Sequence, residues 1–186
     1  MTFQWSCGLA WHGFPDTDAH HQPWRILRTF VIDQISYLSW WSLLANATWL
    51  AYWATHASDD PIVRYGYALL VFPLALFCAI GGSYITHVHP RVLHLAPIGV
   101  TLTDEALLIV DAVGHWFPLL ELWSLHDVAI DLSLTARLGS LLVTPLVLLV
   151  YWKCFDWRRR YGVSDADLLH IYGLWQVLTV LALFVH

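Results

Sequence analysis

"YGYALLVFPLALFCAIGGSYITH", residues 65–87, runs from end to end without a lysine, arginine, aspartate or glutamate. A helix of about 20 mostly apolar residues crosses the roughly 30 Å of hydrocarbon in a bilayer. Pro73, near its middle, is costly in a water-soluble helix but tolerated in a membrane helix, where neighbours satisfy the freed carbonyl. Gly81 and Gly82 form a small face that a second helix can approach closely. The stretch therefore reads as a membrane-spanning helix.

Four more stretches read the same way: 26–54, 104–125, 136–155 and 167–186. The first is longer than a bilayer requires, so it tilts or begins in the interface. The apolar runs are continuous and do not alternate, which argues against a transmembrane β-barrel. The expected fold is all-α, a polytopic membrane helical bundle of about five transmembrane helices. Residues 1–23 form an interfacial N-terminal segment and 24–186 a single transmembrane domain.

Composition agrees. The chain of 186 residues is 58 % hydrophobic and 12 % charged, with a mean hydropathy of +0.56. Soluble domains carry about a quarter charged residues. A net charge of −5, thinly spread, leaves no basic footprint for nucleic acid. Cys7, Cys78 and Cys154 are odd in number and far apart, so they form neither a disulfide framework nor a zinc-type pair. Most of the twelve tryptophans suit the bilayer interface, where an amphipathic ring is comfortable. Membrane lipids are the expected partners, with membrane protein partners as an alternative, and localisation is multi-pass in a membrane the sequence does not specify. Arg25, Arg28, Arg91, Lys153 and Arg158–Arg160 fall on one side of a five-helix chain, which the positive-inside rule assigns to the cytoplasm.

Ionisable residues inside such helices are few: Asp33, Asp111, His115, Glu121 and His170. They are costly in hydrocarbon and mark interior faces or functional sites. Residues four apart share a helix face. Asp111 and His115 thus make a carboxylate–imidazole pair, the arrangement that sets a histidine tautomer and raises its basicity. Thr29 and Asp33 form a second pair at the same spacing. Hydroxyl, imidazole and carboxylate are the parts an activated nucleophile needs. The same residue types also serve as plain interhelical glue, and no G-x-S-x-G elbow surrounds Thr29. His87, His89 and His94 with His20 and His21 could group around a metal, and His115 with His170 could ligate a haem. The motifs of known metal sites are absent, so no metal and no cofactor is expected.

Three segments resemble the androgen-induced gene family, multi-pass membrane hydrolases that include the androgen-dependent TFPI-regulating protein. They are "WRILRTFVIDQ" (24–34), "LLVFPLALFCAIGGSYITHVHP" (69–90) and "VDAVGHWFPLLELW" (110–123). The resemblance implies a threonine nucleophile at Thr29, a catalytic histidine at His115, Asp111 in place of the family's Asn, and Asp33 near its Asp. It implies cleavage of fatty acid esters of hydroxy fatty acids, without a cofactor. Ser83 and Tyr84 are candidate supporting donors for an oxyanion. The chain departs from the family in lacking its first helix and in a Thr-to-Asp spacing one residue longer. Two other readings stand beside this one: a non-catalytic subunit of a larger membrane complex, and a haem- or metal-binding membrane protein.

Overall fold

The computed structural model describes residues 37–88, 104–125, 132–155, 161 and 163–184. Among these residues every regular element is helical. We label them α1 (Leu38–Trp53), α2 (Pro61–Val88), α3 (104–124), α4 (Leu134–Cys154) and α5 (Asp165–Phe184). Three of the helices, α2, α4 and α5, are long and apolar enough to cross a membrane. The expected N-terminal segment 1–23 and the first part of the 26–54 stretch lie outside the described residues.

Helix α2 begins four residues earlier than the apolar run alone indicates. Asp60 accepts from the backbone N–H groups of Ile62 and Val63, and Pro61 fills the first helical position. A carboxylate cap followed by proline is a strong helix start, because proline's missing N–H is one the helix could not bond anyway. At α5 the cap is reciprocal. Ser164 Oγ accepts from the Asp167 N–H at 3.2 Å, and Asp167 Oδ2 accepts from the Ser164 N–H at 2.8 Å. Ser133 caps α4 by accepting from the Ala136 N–H.

Two helices widen to a single π-turn, Tyr67–Val71 in α2 and Ala112–Trp116 in α3. Each is followed at once by a Phe-Pro pair, Phe72-Pro73 and Phe117-Pro118. The cause is common to both. A proline ring collides with the carbonyl four residues back and offers it no proton. In each helix the phenylalanine before the proline bonds five residues back, Phe72 N–H to Tyr67 O and Phe117 N–H to Ala112 O. The wider turn makes room for the ring without stopping the helix.

Helix α2 is the hub. Of its most apolar window 72 % is buried, against 22 % for α4 and 28 % for α5, so the others are arranged around it. Aromatic side chains with a polar tip make several of the joints. Trp49 of α1 donates its indole N–H to Val63 O, and Trp175 of α5 donates to Pro73 O at 2.7 Å. Tyr67 of α2 donates its hydroxyl to Leu122 O of α3. Rings pack beside these bonds, Trp49 tilted against Tyr67 and Phe77 edge-on to Trp175. Tyr161, between α4 and α5, accepts the N–H of Leu38 at the start of α1. Burial pushes its phenol well above the ordinary tyrosine range, so it stays neutral.

On the outer helices apolar side chains face outward as well as inward, and several buried positions are polar. Leu138, Leu142, Leu146 and Leu149 of α4 point outward, while Ala136, Ser140 and Thr144 of the same helix are buried. On α1, Ser42 and Asn46 are buried and Leu44 is 69 % exposed. Ser42 is hydrogen-bonded to the buried Cys78 thiol. Thr179 of α5 is fully buried while Leu174, Val177 and Leu181 face out.

Trp175→Phe keeps most of the buried ring and removes the donor to Pro73. It is expected to cost about 1 kcal/mol, read from a denaturation curve, whereas Trp152→Phe, at an exposed position, leaves the curve in place.

Candidate functional site

The Asp111–His115 pair is formed by α3 and completed by α2. Asp111 closes the first α-helical section of α3, and His115 sits inside the π-turn that follows. His115 Nδ1 lies 2.8 Å from Asp111 Oδ1, and Ser83 of α2 donates its hydroxyl to Asp111 Oδ2 at 2.9 Å. Trp116, next to His115, donates its indole N–H to Ser83 Oγ at 2.6 Å. The carboxylate is buried and the imidazole half-buried. A buried carboxylate needs strong donors to offset its desolvation, and here both oxygens have one.

Gly82 makes the approach possible. A Cβ at this position would stand 2.6 Å from Cγ and Cε1 of His115 and nearer still to Nδ1. No side chain other than hydrogen fits between the ring and the α2 backbone. Gly81, one residue earlier, faces α5, with Ile171 at 3.8 Å. The glycine pair thus serves two neighbours, because successive helix positions differ in direction by about 100°.

The chemistry available follows from the bonds. An ionised carboxylate only accepts, so beside it a neutral His115 carries its proton on Nδ1 and has its lone pair on Nε2. Val113, Trp116 and Phe117, close to His115 in the chain, are exposed apolar side chains.

Of the residues singled out from the sequence, the structure brings together Asp111, His115 and Ser83. Ser83 has its single proton on Asp111, so it is a partner of the acid and has none to offer an oxyanion. Tyr84 is turned away from the pair. It donates its hydroxyl to Asp167 of α5 at 2.5 Å, because one step along α2 rotates it from the α3 side to the α5 side. Thr29 and Asp33 lie outside the described residues, as do His20, His21, His89 and His94. Glu121 is half-buried on α3, and His170 occupies an exposed position on α5. Among the described residues no group of three histidine, cysteine or acidic side chains is placed to hold a metal ion. Gly82 and Trp116 are the site residues that sequence reasoning missed. The signal for the glycine was the Gly-Gly pair, and nothing in the letters tied either residue to His115.

No protein-family model, curated protein or solved structure matches the chain.

Gly82→Ala is expected to displace the imidazole and destabilise the protein by about 1–3 kcal/mol, the usual range for overpacking. The penalty should largely vanish when His115 is first changed to Ala, and a double-mutant cycle of denaturation midpoints measures that difference.

Proposed function

We propose that this chain is a multi-pass integral membrane protein, spanning the bilayer with all five helices, and that it hydrolyses lipid esters with His115 as general base. The membrane reading is supported by the three long apolar helices and by the outward leucines and inward hydroxyls of α1, α4 and α5. In water that arrangement would expose a large apolar surface with no compensation. In lipid the outward leucines are solvated by acyl chains, and small inward residues such as Ser140 let helices approach closely. The starts of α1 and α5 and the ends of α2 and α4 share one end of the bundle, joined by the Leu38–Tyr161, Trp41–Phe155 and Tyr84–Asp167 contacts. Most of the chain's basic residues flank that end in sequence, so it is the cytoplasmic end.

The observation that carries the hydrolase reading is the Asp111–His115 bond through Nδ1, which leaves Nε2 as the base. The nucleophile is Thr29, supplied by the resemblance of residues 24–123 to a family of threonine hydrolases. In the first half-reaction the Thr29 hydroxyl gives its proton to Nε2 while its oxygen adds to the ester carbonyl. The bond from the carbonyl carbon to the alcohol oxygen breaks, and that oxygen takes the proton back from the imidazolium. A water molecule, deprotonated by the same nitrogen, then cleaves the acyl-threonine, releasing a fatty acid and restoring the hydroxyl. Asp111 stabilises the imidazolium in both halves. In this reading the acyl chains lie along lipid-facing apolar side chains such as Val113 and Phe117.

A second reading is favoured by one specific observation: the Ser83–Asp111 bond joins α2 to α3. In a non-catalytic subunit of a membrane complex the same network would be structural glue.

Thr29→Ala and His115→Ala are each expected to abolish cleavage of a fatty acid ester of a hydroxy fatty acid by the purified, reconstituted protein. Thr29→Ala should also abolish labelling by a fluorophosphonate probe. Wild-type rates in both variants would leave the subunit reading. The membrane reading has its own check: alkaline carbonate should leave the protein in the membrane pellet, and a maleimide should label exposed Cys154 while sparing buried Cys78.

A further inference from the structure

We propose that Asn46 of α1, Thr144 of α4 and Thr179 of α5 bind ordered internal water in a layer around the π-turn of α2. Nothing in this depends on the hydrolase reading. All three side chains are buried, the two threonines completely. Asn46 Oδ1 and both threonine hydroxyls have no hydrogen-bond partner among the described residues, whereas buried polar atoms are almost always paired with protein or with water. The register of the helices puts them at one level. On α1, Asn46 lies between Ser42, bonded to Cys78 of α2, and Trp49, bonded to Val63 O, so it faces the middle of that interval. On α5, the stripe Ile171, Trp175, Thr179 follows α2. Ile171 lies against Gly81, Trp175 bonds Pro73 O, and Thr179 stands one turn further on, beside the π-turn Tyr67–Val71. On α4, Gly139 lies against Leu69 of that turn. Thr144, on a helix running the same way as α2, comes just past it, near Pro73.

A hydroxyl inside a helix can turn to a carbonyl one turn back, as Ser140 does towards Arg137 O at 2.6 Å. Thr144, the next residue along the same face, makes no such bond. The Asn46 oxygen has no such recourse: it needs a donor, and helix carbonyls offer none. The backbone of this layer is short of donors as well. Pro73 has no N–H for Leu69 O, Phe72 N–H goes to Tyr67 O, and Pro145, directly after Thr144, has no N–H for Leu141 O. Acceptors from α1, α2 and α4 thus share one level with two hydroxyls that do not bond to them. Water donates and accepts at once, and ordered water is one of the partners that satisfy backbone freed by proline in a membrane helix. A few such molecules, each with about two to four polar neighbours, complete the layer. The widened turn that admits Pro73 is then held by water as well as by Trp175.

The test is magic-angle-spinning NMR of the protein in liposomes, with magnetisation passed from water to the protein. Signals of the Asn46 side-chain amide and of the Thr144 and Thr179 methyl groups should build up early, as those of exposed Thr55 do. Ala79, fully buried on α2 beyond the layer, should stay dark. Asn46→Leu, Thr144→Val and Thr179→Val keep the shape of each side chain and remove its polar atom. With water in place each should lower the denaturation midpoint. In a dry layer each removes an unsatisfied atom and leaves the midpoint unchanged or raises it. Early build-up at Asn46 and at the threonines, with lowered midpoints, is the expected result. No build-up in the wild-type protein overturns the proposal, and that reading needs no variant to fold. Lowered midpoints without build-up overturn it too, and return the hydroxyls to their own helix carbonyls. Build-up with unchanged or raised midpoints also overturns it, because water that is only passing through is lost without effect.

Discussion

A peptide carbonyl at the centre of an apolar bundle has no water to turn to, and helix α2 is where this constraint presses hardest. It is buried on nearly all sides over its middle, it contains a proline, and its turn widens just before that proline. The helices around it meet the constraint with aromatic side chains that carry one polar atom. Trp49 and Trp175 bring an indole N–H to Val63 O and Pro73 O, and Tyr67 carries a hydroxyl out to Leu122 O. Each ring buries apolar surface while its tip supplies a hydrogen bond, so one residue does the packing and the polar satisfaction together. Part of the tryptophan content of this chain is therefore structural, at helix crossings and not only at a lipid interface.

The device that accommodates Pro73 in α2 recurs in α3, and there it also builds the candidate site. Pro118 forces a wider turn, His115 and Trp116 stand in that turn, and the neighbouring α2 presents Gly82 and Ser83 to them. One glycine allows the ring to lie against the helix backbone, and the serine after it closes the polar network. A change of one atom's size at residue 82 would part the two helices at this point. Site and helix packing are thus a single feature.

Polar and small side chains inside, with leucines outside, mark how the outer helices pack. Ser140, Thr144 and Thr179 are buried within the bundle, and Leu142, Leu146 and Leu181 lie on the outer faces of α4 and α5. The Asp111–His115 pair departs from this pattern by setting a buried carboxylate beside a half-buried imidazole where α3 meets α2.

The helical architecture and the positions of most helices could be read from the letters, because a long run without charge admits few other solutions. The Asp111–His115 pairing was equally legible, since a spacing of four residues places two side chains on one face whatever surrounds the helix. The start of α2 at Pro61 was present in Asp60-Pro61 and was masked by a loop-like composition. The π-turns were not legible: Phe-Pro announces a disturbance in a helix but not whether the helix kinks, stops or widens, which depends on the neighbours that take up the strain. Ser83 and Tyr84 are adjacent in the chain and belong to different networks, one on α3 and the other on α5. Their separation follows from how α2 is turned among its neighbours, a rotation set by the packing of all five helices and written in no local stretch. For the same reason Gly82 and Trp116 became site residues only when α2 and α3 were brought side by side.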